Sequence, residues 1–234
     1  MAGGIGSRFW PMSTTEHPKQ FLDILGTGKT LIQQTYDRFT KICPKKNIFI
    51  ITNEQYKGLV LEQLKISEDQ VISEPVRRNT APCIAYASYK IADLNPNANI
   101  IVAPSDHLIL KEDAFTEIIQ IALNKTKSDD CLVTLGIKPS RPDTGYGYIQ
   151  FDDNDTKNRQ IRKVKTFTEK PNLQLAKDFL ESGDFYWNSG IFIWSVTSIL
   201  TAFDKHLSKV SVLFKEGVGK YNTPKEAKFI KRIY

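Results

Sequence analysis

Short β-branched runs alternate along this chain with longer amphipathic stretches, the pattern of strands separated by helices. Asn47 to Thr52, Val71 to Ser73, Ile100 to Ala103 and Cys131 to Leu135 read as buried strands. Between them, Leu31 to Ile42, Gln55 to Leu64, Ala81 to Leu94 and Ala114 to Lys127 carry apolar residues at helical intervals. This repeat predicts an α/β fold, a Rossmann-like, mostly parallel sheet flanked by helices. After Gly136 the pattern changes. Tyr146 to Phe151 and Arg162 to Thr168 read as longer strands joined by a polar turn, Asp152 to Asn158, which predicts a small antiparallel insertion. A helix at Leu173 to Glu181, a strand at Gly190 to Trp194 and a helix from Val196 to Lys205 return to the first style. No linker or repeat interrupts the 234 residues, so a single domain is expected.

Composition narrows the function without choosing it. With 41% hydrophobic and 25% charged residues the chain has the balance of an ordinary globular protein. No apolar run approaches the roughly 20 residues that cross a bilayer, and Met1-Ala2-Gly3-Gly4 lacks a basic-then-apolar leader pattern. A cytoplasmic location without a membrane partner is expected. Cys43, Cys83 and Cys131 are far apart and odd in number, so buried free thiols are expected rather than disulfides or zinc ligands. The net charge of +6 raises nucleic acid as a partner, but basic and acidic residues interleave along most of the chain. The main cluster, Arg159 to Lys165 with Lys157 before it, reads equally well as a solvated strand face. Nucleic acid is not expected; a site for phosphorylated small molecules also draws on positive charge.

The opening segment carries the first chemistry. In the segment that opens at Ala2, the glycines Gly3, Gly4 and Gly6 have no side chains to keep backbone N–H groups from a phosphate, and Arg8 and Lys19 add charge-assisted hydrogen bonds to the same anion, so Ala2, Gly3, Gly4 and Gly6 are the expected nucleotide-binding residues. No helix-forming run follows Gly6, and Trp10-Pro11 would break one, which argues against a dinucleotide-binding turn. Gly28-Lys29-Thr30 resembles the tail of a Walker A motif, but Asp23 stands where that motif needs glycine, so a polar turn is the better reading.

Taken with Pro18-Lys19-Gln20-Phe21, the segment GGIGSRFWPMS resembles the signature of the sugar nucleotidyltransferases, and in particular their guanylyltransferase group acting on mannose 1-phosphate. Later segments match in the same order: Glu74 to Pro82, Pro104 to His107, Thr144 to Ile149, Phe167 to Pro171 and Trp187 to Phe192. The resemblance implies the nucleotidyltransferase (glycosyltransferase-A-like) fold and transfer of GMP from GTP to α-D-mannose 1-phosphate, with GDP-mannose and pyrophosphate as products. A thymidylyl or uridylyl enzyme, or a noncatalytic nucleotide-binding remnant, is the alternative. Mg²⁺ is the implied cofactor, GTP and mannose 1-phosphate are the implied partners, and homo-oligomerisation stays open.

Individual residues then take roles. Asp106 follows an apolar strand and Pro104, at a strand's carboxyl end where open α/β sheets bind ligands, and a carboxylate there can hold Mg²⁺ against phosphate oxygens. His107 is as compatible with packing as with function. Arg8 is assigned to the departing pyrophosphate and Lys19 to the α-phosphate. Asn79 and Thr80 open the Ala81 helix, with plain capping by Thr80 as the alternative to contact with the base that the resemblance implies. Gly147, with Gly145, would bring a strand backbone close to a sugar, or mark a β-bulge. Glu169 and Asn188 can hydrogen-bond sugar hydroxyls and Lys170 can reach the sugar phosphate, although Glu169 and Lys170 alone would read as a surface ion pair.

The sequence departs from the pattern it resembles at several places. Only Met1 precedes Ala2 where an apolar strand is usual, so the glycine segment is expected to lack its anchor. A second acidic metal ligand and further C-terminal structure are not present, so the chain is expected to be truncated at both ends and to hold half a metal site. Arg77 stands at a position commonly Gly, and Thr14 at one commonly Arg.

Overall fold

The computed structural model describes residues 1–4, 9–152 and 160–234. Gly6, Arg8, Lys157, Arg159 and most of the expected turn from Asp152 to Asn158 lie outside the described residues. The chain divides into two compact units, Met1–Leu132 with Trp194–Tyr234, and Val133–Ile193.

In the first unit, β1 (Ile50–Asn53) pairs in parallel with β2 (Val71–Glu74), Ile50 opposite Val71. β3 (Asn99–Val102) follows later in the chain. The helices are α1 (Leu31–Thr40), α2 (Lys57–Leu64), α3 (Thr80–Leu94), α4 (Glu112–Ser128), α6 (Val196–His206), α7 (Ser208–Lys215) and α8 (Glu226–Ile233). The βα order and the parallel pairing accord with the α/β expectation. Thr30 starts α1 through a capping box with Gln33. Just before it, the Asp23 carboxylate accepts from the backbone N–H groups of Thr27 and Gly28. The Gly26 to Lys29 segment is thus the polar turn expected of it. One core gathers Ala2, Phe21, Ile32, Tyr36, Ile50, Tyr56, Val60 and Val71.

α7 and α8 lie beyond the elements read from the sequence, and they pack on α3. The Glu226 carboxylate accepts from Tyr86 Oη at 2.5 Å and from Lys90 Nζ at 2.6 Å, both donors on α3, and from the Asn222 backbone N–H at 2.6 Å. Stacked rings of Tyr89 with Phe214 and with Tyr221 continue the contact.

The second unit is the antiparallel part. β4 (Leu132–Ile137), β5 (Gly147–Phe151), β6 (Val164–Glu169) and β7 (Phe185–Ser195) carry the sheet, with α5 (Leu173–Ser182) between β6 and β7. β5 runs antiparallel to both β6 and β7. β7 starts at Phe185, earlier than Gly190, because Phe185, Trp187, Ser189 and Ile191 alternate inward against half-buried residues. Tyr148, Ala176, Phe179, Phe185 and Trp187 form its core.

The three cysteines carry free thiols, but only Cys83 is buried; Cys43 and Cys131 are half-buried, which corrects the expectation of burial for those two. Cys43 lies just past the end of α1 and Cys131 just precedes β4.

Candidate active site

Met1 and Ala2 are tied on two sides. The Ala2 N–H donates to the Ile51 carbonyl at 2.8 Å, the Met1 nitrogen donates to the Ala103 carbonyl at 2.7 Å, and the Ser105 N–H donates to the Met1 carbonyl at 3.0 Å. The segment therefore bridges β1 and the turn leaving β3, and the expectation that it lacks an anchor is corrected: backbone bonds to both neighbours hold it. The bonds to Ala103 and Ser105 also fix the Pro104-Ser105-Asp106 turn, whose Ser105 carbonyl accepts from Thr35 Oγ1 of α1.

Lys19 arrives from the other side. Pro18 leads into a 3₁₀ turn, Lys19–Phe21, that buries Gln20 and Phe21, with Phe21 packed on the Tyr56 ring. Turning two residues inward leaves Lys19 facing out, its ammonium over the Phe9 ring. Lys19 Nζ lies 3.6 Å from Asp106 Oδ2. The structure thus brings together two of the residues singled out for opposite tasks, a phosphate-binding cation and a metal-binding carboxylate. His107 beside them is half-buried, and burial pushes its imidazole down, with the Asp106 carboxylate opposing and Lys19 and Arg38 reinforcing.

The fit of Mg²⁺ rests on donor chemistry. Mg²⁺ is commonly held by one or two carboxylates plus substrate phosphates rather than by an all-protein cage. Asp106 supplies one such hard oxygen ligand, partly exposed and next to the glycine segment. Among the described residues no group of three or more His, Cys, Asp or Glu converges. The residues present fit the cation in the mode that leaves most of its coordination to phosphate.

Asn79 and Thr80 stand at the start of α3, but not as expected. Thr80 is the first helical residue and Asn79 takes the cap position, with φ 66° and ψ −166° and no capping hydrogen bond from its side chain. That backbone region is almost exclusive to glycine and costs a non-glycine residue about 1–3 kcal/mol. Plain capping by Thr80 is therefore corrected. Nearby, the carboxylate of Glu74 lies against Gly3 and accepts from Tyr234 Oη. Burial pushes the Glu74 carboxyl up, against the pull of that hydrogen bond. Arg77 is engaged with Tyr56 Oη at 3.0 Å.

In the second unit, Gly147 pairs with Glu169 across β5 and β6, while Asn188 follows Trp187, the residue of β7 that pairs with Tyr148 of β5. Residues directly opposite in an antiparallel sheet share a face, so Glu169 and Gly147 stand side by side across β5 and β6. A Cβ on Gly147 would meet Glu169 Oε2 at 2.7 Å and the Phe167 ring at 3.1 Å, so only glycine lets the Glu169 carboxylate lie over that strand. The sheet irregularity falls at Gln150 and Phe151, so Gly147 is regular strand and the β-bulge reading is corrected. Asn188 Oδ1 accepts from Thr134 Oγ1 at 3.0 Å and from the Gly190 N–H, so its carbonyl oxygen is engaged within this unit. Lys170 and Glu169 are ion-paired at 3.4 Å and both well exposed. Sequence reasoning gave no role to Gln20, Thr52, Glu74 or Thr134, although Gln20 and Glu74 sit inside the quoted motifs.

The model of the family described as nucleotidyl transferase matches residues 1–229. Over 202 residues the chain is 43% identical to the mannose-1-phosphate guanylyltransferase of Salmonella montevideo, covering 83% of this chain and 42% of the relative. Over 214 residues it is 38% identical to the enzyme of the same name from Escherichia coli, strain K12, covering 88% of this chain and 44% of that one. The chain thus spans less than half the length of these relatives. Among solved structures, a mannose-1-phosphate geranyltransferase of Thermus thermophilus superposes with a TM-score of 0.85 at 26% identity, covering 98% of this chain and 65% of that one. A mannose-6-phosphate isomerase of Helicobacter pylori does so with a TM-score of 0.74 at 31% identity, covering 86% and 76%.

Proposed function

The chain belongs to the nucleotidyl transferase family, and from that premise we propose that it transfers GMP from GTP to α-D-mannose 1-phosphate, giving GDP-mannose and pyrophosphate. The observation that carries this reading is the meeting of Lys19 and Asp106 at 3.6 Å beside the glycine segment. The choice of guanine and mannose rests on the relatives named above. A phosphate oxygen of the sugar phosphate attacks the α-phosphorus of GTP and pyrophosphate leaves in line, so no protein nucleophile is needed. Catalysis of such transfers is positioning plus charge stabilisation.

Within that scheme Gly3, Gly4 and Gly6 cradle the triphosphate, Lys19 neutralises charge at the α-phosphate and Arg8 holds the pyrophosphate; the nucleotide contact expected of Ala2 is corrected to an anchoring role, because its N–H is committed to the Ile51 carbonyl. Asn79 and Thr80 face the base. Gly147 opens room for the sugar, Glu169 and Asn188 bind its hydroxyls, and Lys170 binds its phosphate. Asp106 would hold Mg²⁺, which when bound supplies further neutralisation of phosphate charge. With Asp106 committed to the cation, Lys19 is free to turn to phosphate. The partners assigned are these two small molecules rather than nucleic acid or membrane, in the cytoplasm. Among the described residues no helix is long and apolar enough to cross a membrane.

The test is pyrophosphate release with Mg²⁺, mannose 1-phosphate and GTP, UTP or dTTP in turn. GTP-selective release is expected. Release with another triphosphate would move the assignment to a different nucleotidyltransferase, and GTP binding without release would make the chain a nucleotide-binding remnant.

A further inference from the structure

Gln20 is the buried polar residue nearest the glycine segment that the scheme above leaves without a task. Its Nε2 donates to the Ala2 carbonyl at 2.9 Å and to the Gly4 carbonyl at 2.9 Å. Because both partners are carbonyl oxygens, only the amide nitrogen can face them, so the orientation of the group is fixed by chemistry. Thr52 Oγ1 adds a second donor to the Ala2 carbonyl at 3.0 Å. One side-chain nitrogen thus spends both of its protons on two carbonyls that flank Gly3.

The consequence is electrostatic. A glycine segment binds phosphate through its N–H groups, and its carbonyl oxygens carry the opposite partial charge. A segment without side chains has many backbone conformations, several of which would aim a carbonyl at the anion. We infer that Gln20 is a positioning residue for the triphosphate: it holds the Ala2 and Gly4 carbonyls on the protein side, so that the anion meets donors and not acceptors. The neighbouring Lys19 leaves the same 3₁₀ turn on its outer side, so one turn both orients the loop and supplies the cation. This inference rests on the nucleotide-binding reading of the site.

Gln20→Glu reverses the key property, since an ionised carboxylate only accepts and would face two carbonyls. Gln20→Leu removes it without adding charge. GTP affinity, measured by calorimetry for each variant and referred to the unsubstituted chain at the same pH, should fall at least about tenfold in Gln20→Leu and further in Gln20→Glu at pH 8, consistent with losing two buried hydrogen bonds. The Gln20→Glu deficit should shrink as the pH is lowered toward 5, because a protonated carboxyl donates one bond again, whereas the Gln20→Leu deficit should stay constant. A purely structural role would not give that pH-dependent rescue. Equal affinity at pH 8, or a Gln20→Glu deficit independent of pH, overturns the inference while leaving the nucleotide reading intact. Failure of the unsubstituted chain to bind GTP overturns both. Should Gln20→Glu lose its helical circular dichroism, Thr52→Val reads the same geometry through the second donor to Ala2. A loss of about threefold supports the inference, and unchanged affinity overturns it.

Discussion

At the residue scale, the proposed chemistry depends on a few groups whose removal has separable effects. Lys19→Ala takes away a cation set next to Asp106, the carboxylate proposed to hold Mg²⁺, and loss of one such preorganised group costs at least about 2.7 kcal/mol of transition-state stabilisation, about a hundredfold in rate. Pyrophosphate release with saturating GTP should fall by that factor, and near-normal turnover would remove Lys19 from the mechanism. Asn79 tests the opposite relation, between strain and function. At φ 66° and ψ −166° glycine is at ease and asparagine is not. Asn79→Gly should therefore unfold at an equal or higher temperature while binding GTP more weakly; a lower melting temperature would mean that the residue is not strained. The sequence made Lys19, Asp106 and Asn79 legible because each is a reactive or polar group inside a motif. It left Gln20 without a role because a buried amide tied to backbone has no signature apart from its partners, and those partners are sixteen and eighteen residues away.

At the scale of elements, the helix and strand periods placed α1 to α6 and β1 to β6 with ends displaced by a few residues, since terminal residues are set by caps and pairing more than by period. Gln55 to Leu64 shows the physics: its first residues form a 3₁₀ turn, Glu54–Tyr56, because Asn53 caps that turn and Tyr56 is drawn into the core. α7 and α8 escaped because both are short and surrounded by charge, and α8 adds a buried polar contact to the burial of Phe229 and Ile230. That contact is the buried Lys90–Glu226 pair, with both side chains only about one-tenth exposed. Removing one member of such a pair strands the other charge and costs about 3–5 kcal/mol. Glu226→Ala should lose stability on that scale in denaturant unfolding, because Lys90, Tyr86 and the Asn222 N–H all lose their acceptor. A loss below about 1 kcal/mol would show that Lys90 finds another partner or reaches water.

At the scale of the whole molecule, charge is the property that no single contact explains. The chain carries 32 Lys and Arg against 26 Asp and Glu, a net +6, while many of the cations are already paired, as Lys29 is with Asp37, Lys41 with Glu112 and Lys57 with Glu68. Pairing neutralises nearby fields but leaves the net excess to act at long range on anions as highly charged as a nucleoside triphosphate and a sugar phosphate. Screening separates this long-range term from the local one, since the Debye length shrinks from about 30 Å at 0.01 M to about 10 Å at 0.1 M ionic strength. If the excess charge steers both substrates, kcat/KM for GTP should fall as NaCl is raised between those concentrations at fixed free Mg²⁺, while kcat, set by groups in direct contact with phosphate, should change little. A value of kcat/KM independent of salt would mean that the basic excess serves solubility alone and that the site captures its substrates only through contacts made after they arrive.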